Sequence, residues 1–293
     1  MKLLITGSKG QLGSEIRDLS VDFPKYDFIF TSREDLDISD KESAKVFIEK
    51  NSIDVIINCA AYTAVDKAES EPELANKTNH LSVRNLAEIA RENRLKMIHI
   101  STDYVFNGKG YKPYLVDNPT SPLNMYGKTK LEGEKAMLEI DPVNSMIIRT
   151  SWVYSSFGNN FVKTMLRLGE QREELNVISD QVGAPTYARD LAEFILKKAV
   201  KAENENLEVY HFSNEGVCSW YDFANEIIES AKLNCKLSPI PTSAYPTPAA
   251  RPHYSLMDLN KLKNTFSYTI PYWKDSLRDC IQKVKPTSVR VNS

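Results

Sequence analysis

The most restrictive feature of this chain lies at its start. Lys2–Thr6 is a short apolar run that breaks directly into Gly7-Ser8-Lys9-Gly10-Gln11-Leu12-Gly13, and apolar residues at helical spacing follow from Gln11 to Leu19. A strand that feeds a helix through three glycines leaves few folds open. Glycine permits the tight turn, lets backbone approach a pyrophosphate, and lets the helix pack closely on the strand. The first N–H groups of the helix have no partner within it and are free to hold phosphate. The spacing is Gly-x-x-Gly-x-x-Gly rather than Gly-x-Gly-x-x-Gly, so the signal rests on its place at the junction. The competing reading is an ordinary turn with a capping glycine.

The pattern downstream extends the first unit. Apolar runs at 27–31, 54–59, 96–101 and 145–150 alternate with amphipathic stretches at 41–51, 73–93 and after Tyr126. Strands alternating with helices imply βαβ units and a parallel sheet. The runs are apolar on successive residues, as expected when both sheet faces are covered. The fold class expected is α/β, a Rossmann-like doubly wound parallel sheet with a smaller, discontinuous C-terminal substrate lobe. Further strands at 175–179 and 207–212, with a helix at 187–202 between them, imply a return to the main sheet. The expected division is therefore 1–150 plus 175–212 for a dinucleotide-binding domain, and 151–174 plus 213–280 for the lobe. Five prolines between 238 and 252 exclude helix interior and central strand there. The polar residues 285–293 read as a flexible tail.

Charge bears on partners. Lys and Arg total 37 against 39 Asp and Glu, which leaves no basic footprint for nucleic acid. No apolar run approaches the roughly 18 residues of a membrane span, and the N-terminal run is too short for a secretory signal. Cys59, Cys218, Cys235 and Cys280 are far apart and form no C-x-x-C pair, and the four histidines lack metal-ligand spacing. A cytoplasmic protein without a metal site is expected.

NAD-preferring sites commonly carry an acid at the end of the second strand to bind the ribose 2′-hydroxyl. This chain reads Phe30-Thr31-Ser32-Arg33 there. A guanidinium suits a 2′-phosphate, so NADPH is the expected cofactor with NADH tolerated, although Arg33 reads equally as a solvated surface charge. Asp37 and Ile38 just beyond are candidates for the adenine side. After the fourth strand comes Ser101-Thr102-Asp103-Tyr104-Val105-Phe106, and Tyr126-Gly127-Lys128-Thr129-Lys130 opens a helix. Tyr126 and Lys130, four apart, share a helical face. A phenol near pKa 10 is a poor acid–base unless a cation stabilises its anion, and Lys130 supplies one. Thr102 lies at the carboxyl end of a strand, where open α/β sheets bind ligand. Tyr-x-x-x-Lys alone is common on helix surfaces; its order after the glycine turn and Ser-Thr gives it weight.

These residues, with Asn58-Cys59-Ala60-Ala61-Tyr62-Thr63-Ala64-Val65-Asp66, Arg149-Thr150-Ser151-Trp152-Val153-Tyr154, Gly183-Ala184-Pro185-Thr186 and Arg251-Pro252, carry a resemblance. The chain resembles the extended short-chain dehydrogenases/reductases, and among them the dTDP-4-dehydrorhamnose reductase group, from Met1 to about Cys280. The resemblance implies NADPH-dependent reduction of the 4-keto group of dTDP-4-dehydro-L-rhamnose, with Tyr126 as proton donor and Lys130 and Thr102 completing a triad. It places cofactor contacts on Gly7, Gly10, Gln11, Leu12, Asp37, Ile38, Ala60, Ala61, Tyr62, Tyr126 and Lys130, and sugar contacts on Thr102, Asp103 and Trp152. Trp152 reads equally as lobe core. Arg251 is a candidate for the nucleotide diphosphate or a cap on the proline loop.

Some members of this group dimerise through a metal held by acidic side chains. Glu15 fits one such position, but Tyr187-Ala188-Arg189-Asp190 puts a cation where an acid would be needed, so no metal is expected and a homodimer is left open. Two further readings compete: another nucleotide-sugar reductase or epimerase using the same Tyr–Lys pair, and a non-catalytic NADP-binding regulatory subunit.

Overall fold

The computed structural model describes residues 1–284; the tail expected at 285–293 lies outside the described residues. The strands in chain order are β1 (Lys2–Thr6), β2 (Asp27–Phe30), β3 (Val55–Asn58), β4 (Lys96–Thr102), β5 (Met146–Thr150), β6 (Val153–Tyr154), β7 (Glu174–Ile178), β8 (Val182–Gly183), β9 (Thr186–Tyr187), β10 (Glu208–Phe212), β11 (Cys218–Ser219) and β12 (Lys236–Ile240). The helices are α1 (Gln11–Leu19), α2 (Lys41–Lys50), α3 (Val65–Ala68), α4 (Pro72–Asn76), α5 (Ser82–Glu92), α6 (Met125–Ile140), α7 (Phe161–Gln171), α8 (Ala188–Lys197), α9 (Trp220–Ser230), α10 (Asn260–Phe266) and α11 (Trp273–Val284).

A six-stranded parallel sheet of order β10-β5-β4-β3-β1-β2 forms the centre. Successive strand residues point to opposite faces, and both faces are buried. Leu3, Ile5, Val55, Ile57 and Ile98 pack on one side with Ile16 of α1 and Leu191 and Ile195 of α8. Leu4, Ile56, Met97 and Ile147 pack on the other with Ile48 of α2 and Leu86 and Ile89 of α5. This is the doubly wound sheet expected. Strand order reverses between β1 and β3, and ligands of such sheets bind in the crevice at that switch point.

The domain boundaries differ from the expected ones in two places. β7 does not rejoin the main sheet; it pairs in parallel with β12 in a separate two-stranded sheet. Its sequence Glu-Leu-Asn-Val-Ile buries Leu175 and Val177 but exposes Glu174 and Asn176, the alternation of a strand covered on one face only. β12 runs into the proline-rich stretch, with Pro239 inside it; an edge strand tolerates the missing N–H. Conversely, residues assigned to the lobe return to the main domain: Leu262 and Ile270 pack with Phe194 and Tyr210. The lobe core is built from Met165 and Leu166 of α7, Leu175 and Val177 of β7, Phe223 and Ile227 of α9, and Trp273 and Leu277 of α11.

Candidate active site

Gly7 sits at φ +63°, and a Cβ there would stand 2.7 Å from the Ala60 nitrogen. A Cβ on Gly13 would stand 2.6 Å from the Gly7 carbonyl oxygen. The loop after β1, the loop after β3 and α1 are thus packed backbone to backbone around the switch point, a cradle that only glycine leaves open. Above it opens a cavity of about 530 Å³ whose wall includes Gly7, Gly10, Arg33, Asp37, Ile38, Ala60, Ala61 and Tyr62. Eight of the expected cofactor residues are therefore brought together. The shape and the exposed N-terminus of α1 fit a dinucleotide.

Gln11 and Leu12 open α1 directly after Gly10, but their side chains do not line this wall. The Gln11 amide bridges to the lobe, donating to the Val153 carbonyl at 3.3 Å and accepting from Asn160 at 3.0 Å, and Leu12 is core. The cavity wall also holds Ser32 beside Arg33, and residues that the sequence reading passed over: Lys9, Glu34, Lys77 and Thr78. Lys9 is ion-paired to Glu34. Lys77 and Thr78 come from a π-helical turn over Lys77–Leu81, a distortion that no residue spacing announces and that recurs at functional sites. Within that turn, Asn79 accepts from the Tyr62 N–H at 2.8 Å and donates to the Tyr62 carbonyl at 3.1 Å and the Thr129 hydroxyl at 3.2 Å. It fastens the cavity wall to α6. Arg33 is exposed at the rim, and Asp37 accepts from the Ser39 hydroxyl and N–H, which holds its carboxyl below the usual range.

Asn124 caps α6 by accepting from the Gly127 N–H at 2.8 Å. The first turn therefore presents Tyr126 toward the carboxyl end of β4, where its ring meets Tyr104 edge-on at 5.4 Å between centroids. Burial pushes the Tyr126 phenol up to about 12, while a hydrogen bond with Thr102 acts the other way. Thr102 donates to Asp103 Oδ1 at 3.0 Å and accepts from the Tyr104 N–H at 3.2 Å. Burial lifts the Asp103 carboxyl to about 7, against hydrogen bonds from Thr102 and Ser255. Lys130, one turn along α6, is fully enclosed and donates to the Ile100 carbonyl at 2.6 Å. Burial lowers its ammonium to about 8, partly offset by the Glu134 carboxylate. An acid, a hydroxyl and a cation whose proton is easily lost thus converge where β4 meets α6.

Trp152 stands at φ +49°, a strained conformation for so bulky a residue, and it stacks on Trp220 with centroids 3.8 Å apart. Both indoles pack against the lobe core, and Trp220, which forms half of the stack, carried no motif in the sequence. Arg251 presents its fork to Asp66 instead of to open space, with bonds of 2.9 and 2.7 Å. Asp66 also accepts from the Ala249 N–H, so this pair ties the proline loop to the segment after β3, the capping alternative considered above. Glu15 is buried and accepts from the Ser155 hydroxyl at 2.6 Å and from Arg189 at 3.3 Å. Arg189 also pairs with Asp18. The Glu15 carboxylate is thus already taken up by a hydroxyl and a guanidinium, a pairing that does not suit a carboxylate-held metal.

The whole described chain matches a family model, the RmlD substrate binding domain, over residues 1–285. The dTDP-4-dehydrorhamnose reductase of Escherichia coli K12 is 42% identical, covering 98% of this chain and 99% of that one. The chain belongs to the RmlD family. A solved dTDP-4-dehydrorhamnose reductase from Clostridium acetobutylicum superposes with a TM-score of 0.91 at 41% identity, covering 96% of this chain and 99% of the other. That of Bacillus anthracis, solved in complex with NADP, gives 0.91 at 37% identity over 97% and 99%. The family membership and the parallel sheet agree with the fold and the resemblance read from the sequence.

Proposed function

We propose that this RmlD-family chain reduces the 4-keto group of dTDP-4-dehydro-L-rhamnose to dTDP-L-rhamnose with NADPH. The observation that carries the reading is the convergence of Thr102, Tyr126 and Lys130 at the carboxyl edge of β4, beside a glycine cradle built for a dinucleotide. NADPH, when bound in that cradle, supplies the hydride. The chain supplies the rest. Tyr126 gives its phenolic proton to the oxygen that was the ketone, and Lys130 as ammonium stabilises the phenolate left behind. The Thr102 hydroxyl bonds the same oxygen and holds Tyr126 in line. A positioned acid of this kind contributes about 10²–10⁴-fold.

Gly7, Gly10, Ala60, Ala61 and Tyr62 would hold the dinucleotide, with Arg33 and Ser32 toward a 2′-phosphate. Thr102, Asp103 and the Trp152–Trp220 wall would hold the sugar. An intact proton-donating set disfavours a purely regulatory subunit, which has no use for an acid. The absence of an acid in the place of Ser32 and Arg33 disfavours an epimerase that retains NAD. We read the protein as a cytoplasmic enzyme whose partner is a dTDP-sugar. Among the described residues no helix is long and apolar enough to cross a membrane.

The test is NADPH absorbance in the presence of dTDP-4-dehydro-L-rhamnose generated in place by upstream enzymes. Oxidation with formation of dTDP-L-rhamnose is expected. Tight NADPH binding without oxidation would overturn the substrate assignment.

A further inference from the structure

Thr6, Asn58 and His99 stand in register across β1, β3 and β4. Neighbours in register project to the same face, and here Lys130 of α6 closes the row. All four side chains are buried. The Thr6 hydroxyl donates to Asn58 Oδ1 at 2.6 Å, Asn58 Nδ2 lies 3.1 Å from His99 Nδ1, and His99 Nε2 lies 3.3 Å from Lys130 Nζ. Nothing in the mechanism above uses Asn58 or His99.

Donor bookkeeping orients the row, because a buried polar group needs a partner of the opposite kind. The Ala60 N–H can only donate, and it points at Asn58 Oδ1 at 3.3 Å and Thr6 Oγ1 at 3.4 Å. Turning the Asn58 amide over would set its NH₂ against that N–H. With Oδ1 fixed there, Nδ2 donates to His99 Nδ1. A neutral imidazole that accepts at Nδ1 carries its proton on Nε2, which is the nitrogen facing Lys130. An ammonium has three donors and no acceptor, whereas an amine can accept the Nε2–H and still donate to the Ile100 carbonyl.

Resting on the reading of Lys130 as the cation of the site, we propose that Asn58 and His99 are positioning residues that make the Lys130 charge removable: Asn58 fixes the Nε2–H tautomer of His99, and that N–H favours the amine form of Lys130. The other charged groups around Lys130 are few. Glu134 on its own helix favours the ammonium, but its carboxylate is shared with Arg149 from β5 and the Ser101 hydroxyl from β4. Asp103 beyond β4 acts on Tyr126, and the Cys59 thiol beyond β3 is pushed by burial up to about 12 and stays neutral. Burial and the neighbouring Lys130 also hold His99 well below the ordinary histidine range, in its neutral form.

The test reads the ring directly. Nitrogen-15 NMR of the full chain with labelled histidine is expected to show a His99 ring protonated at Nε2 alone from pH 6 to 9. It is assigned as the ring that remains when His80, His211 and His253 are replaced singly. Asn58→Asp keeps the shape but accepts where Nδ2 donated. It should move the proton to Nδ1 and raise the basic limb of the kcat/KM profile by about one pH unit or more. An Nδ1–H or imidazolium ring in the wild type overturns the proposal, as does a folded Asn58→Asp protein whose tautomer and basic limb stay in place. The wild-type spectrum requires no turnover, so it stands apart from failure of the proposed reaction.

Discussion

Replacing Arg149 with Met tests the internal support of the site. Arg149 of β5 grips Glu134 of α6 with its Nε 3.0 Å from Oε1 and its Nη2 2.7 Å from Oε2, and its Nη1 donates to the Val116 carbonyl at 3.0 Å. Both side chains are out of water, with 5% and 1% of their surfaces exposed. Met fills similar volume but leaves the Glu134 carboxylate with only the Ser101 hydroxyl. Breaking one side of a buried pair costs about 3–5 kcal/mol, a large share of the roughly 5–15 kcal/mol that holds a domain together. Urea unfolding at pH 7, followed by circular dichroism, should show that loss for Arg149→Met. The double variant Glu134→Gln/Arg149→Met removes the stranded charge and should recover at least about 2 kcal/mol, a coupling within the range seen for contacting residues. A single variant within about 0.5 kcal/mol of wild type, the usual size of a surface change, would refute the reasoning. So would a double variant no more stable than the single.

Gly13→Ala places a Cβ 2.6 Å from the Gly7 oxygen and the Ser8 Cα, atoms that cannot give way. Overpacking of this kind costs about 1–3 kcal/mol, and calorimetry should find NADPH binding weakened by at least about tenfold as the cradle distorts. Arg33→Ala should raise the KM for NADPH while leaving that for NADH unchanged; equal effects on both would remove Arg33 from the 2′-phosphate. The pH profile has a definite sign. Lys130 loses its proton near pH 8, well below the ordinary lysine range, while Tyr126, near 12, stays protonated. The rate of ketone reduction should fall as pH rises through about 8, and a rate flat to pH 10 would contradict the assignment of the cation.

Much of this site was legible because backbone chemistry dictates it. Gly7 and Gly13 are required by close approaches that any side chain would block, and the Tyr126–Lys130 pair needs one helical face, so both leave a mark in residue spacing. The central strands announced themselves as continuous apolar runs because both sheet faces are covered. β7 was misplaced by attention to its apolar residues, although its alternation already marked a strand with one solvated face. The cavity residues Lys77 and Thr78 depend on a π-turn, and Arg251 on a partner 185 positions away, neither of which local sequence encodes. Asn58 and His99 sit in separate strands, and only the register of three parallel strands joins them to Lys130.

The most direct test of the central claim compares wild type with Tyr126→Phe in a single turnover, with NADPH prebound and dTDP-4-dehydro-L-rhamnose added. The account predicts NADPH binding within about twofold of wild type and a hydride-transfer rate lower by about 10²–10⁴-fold, since only the proton donor is lost. Tyr126→Phe protein that binds NADPH normally and reduces the sugar at the wild-type rate would contradict it.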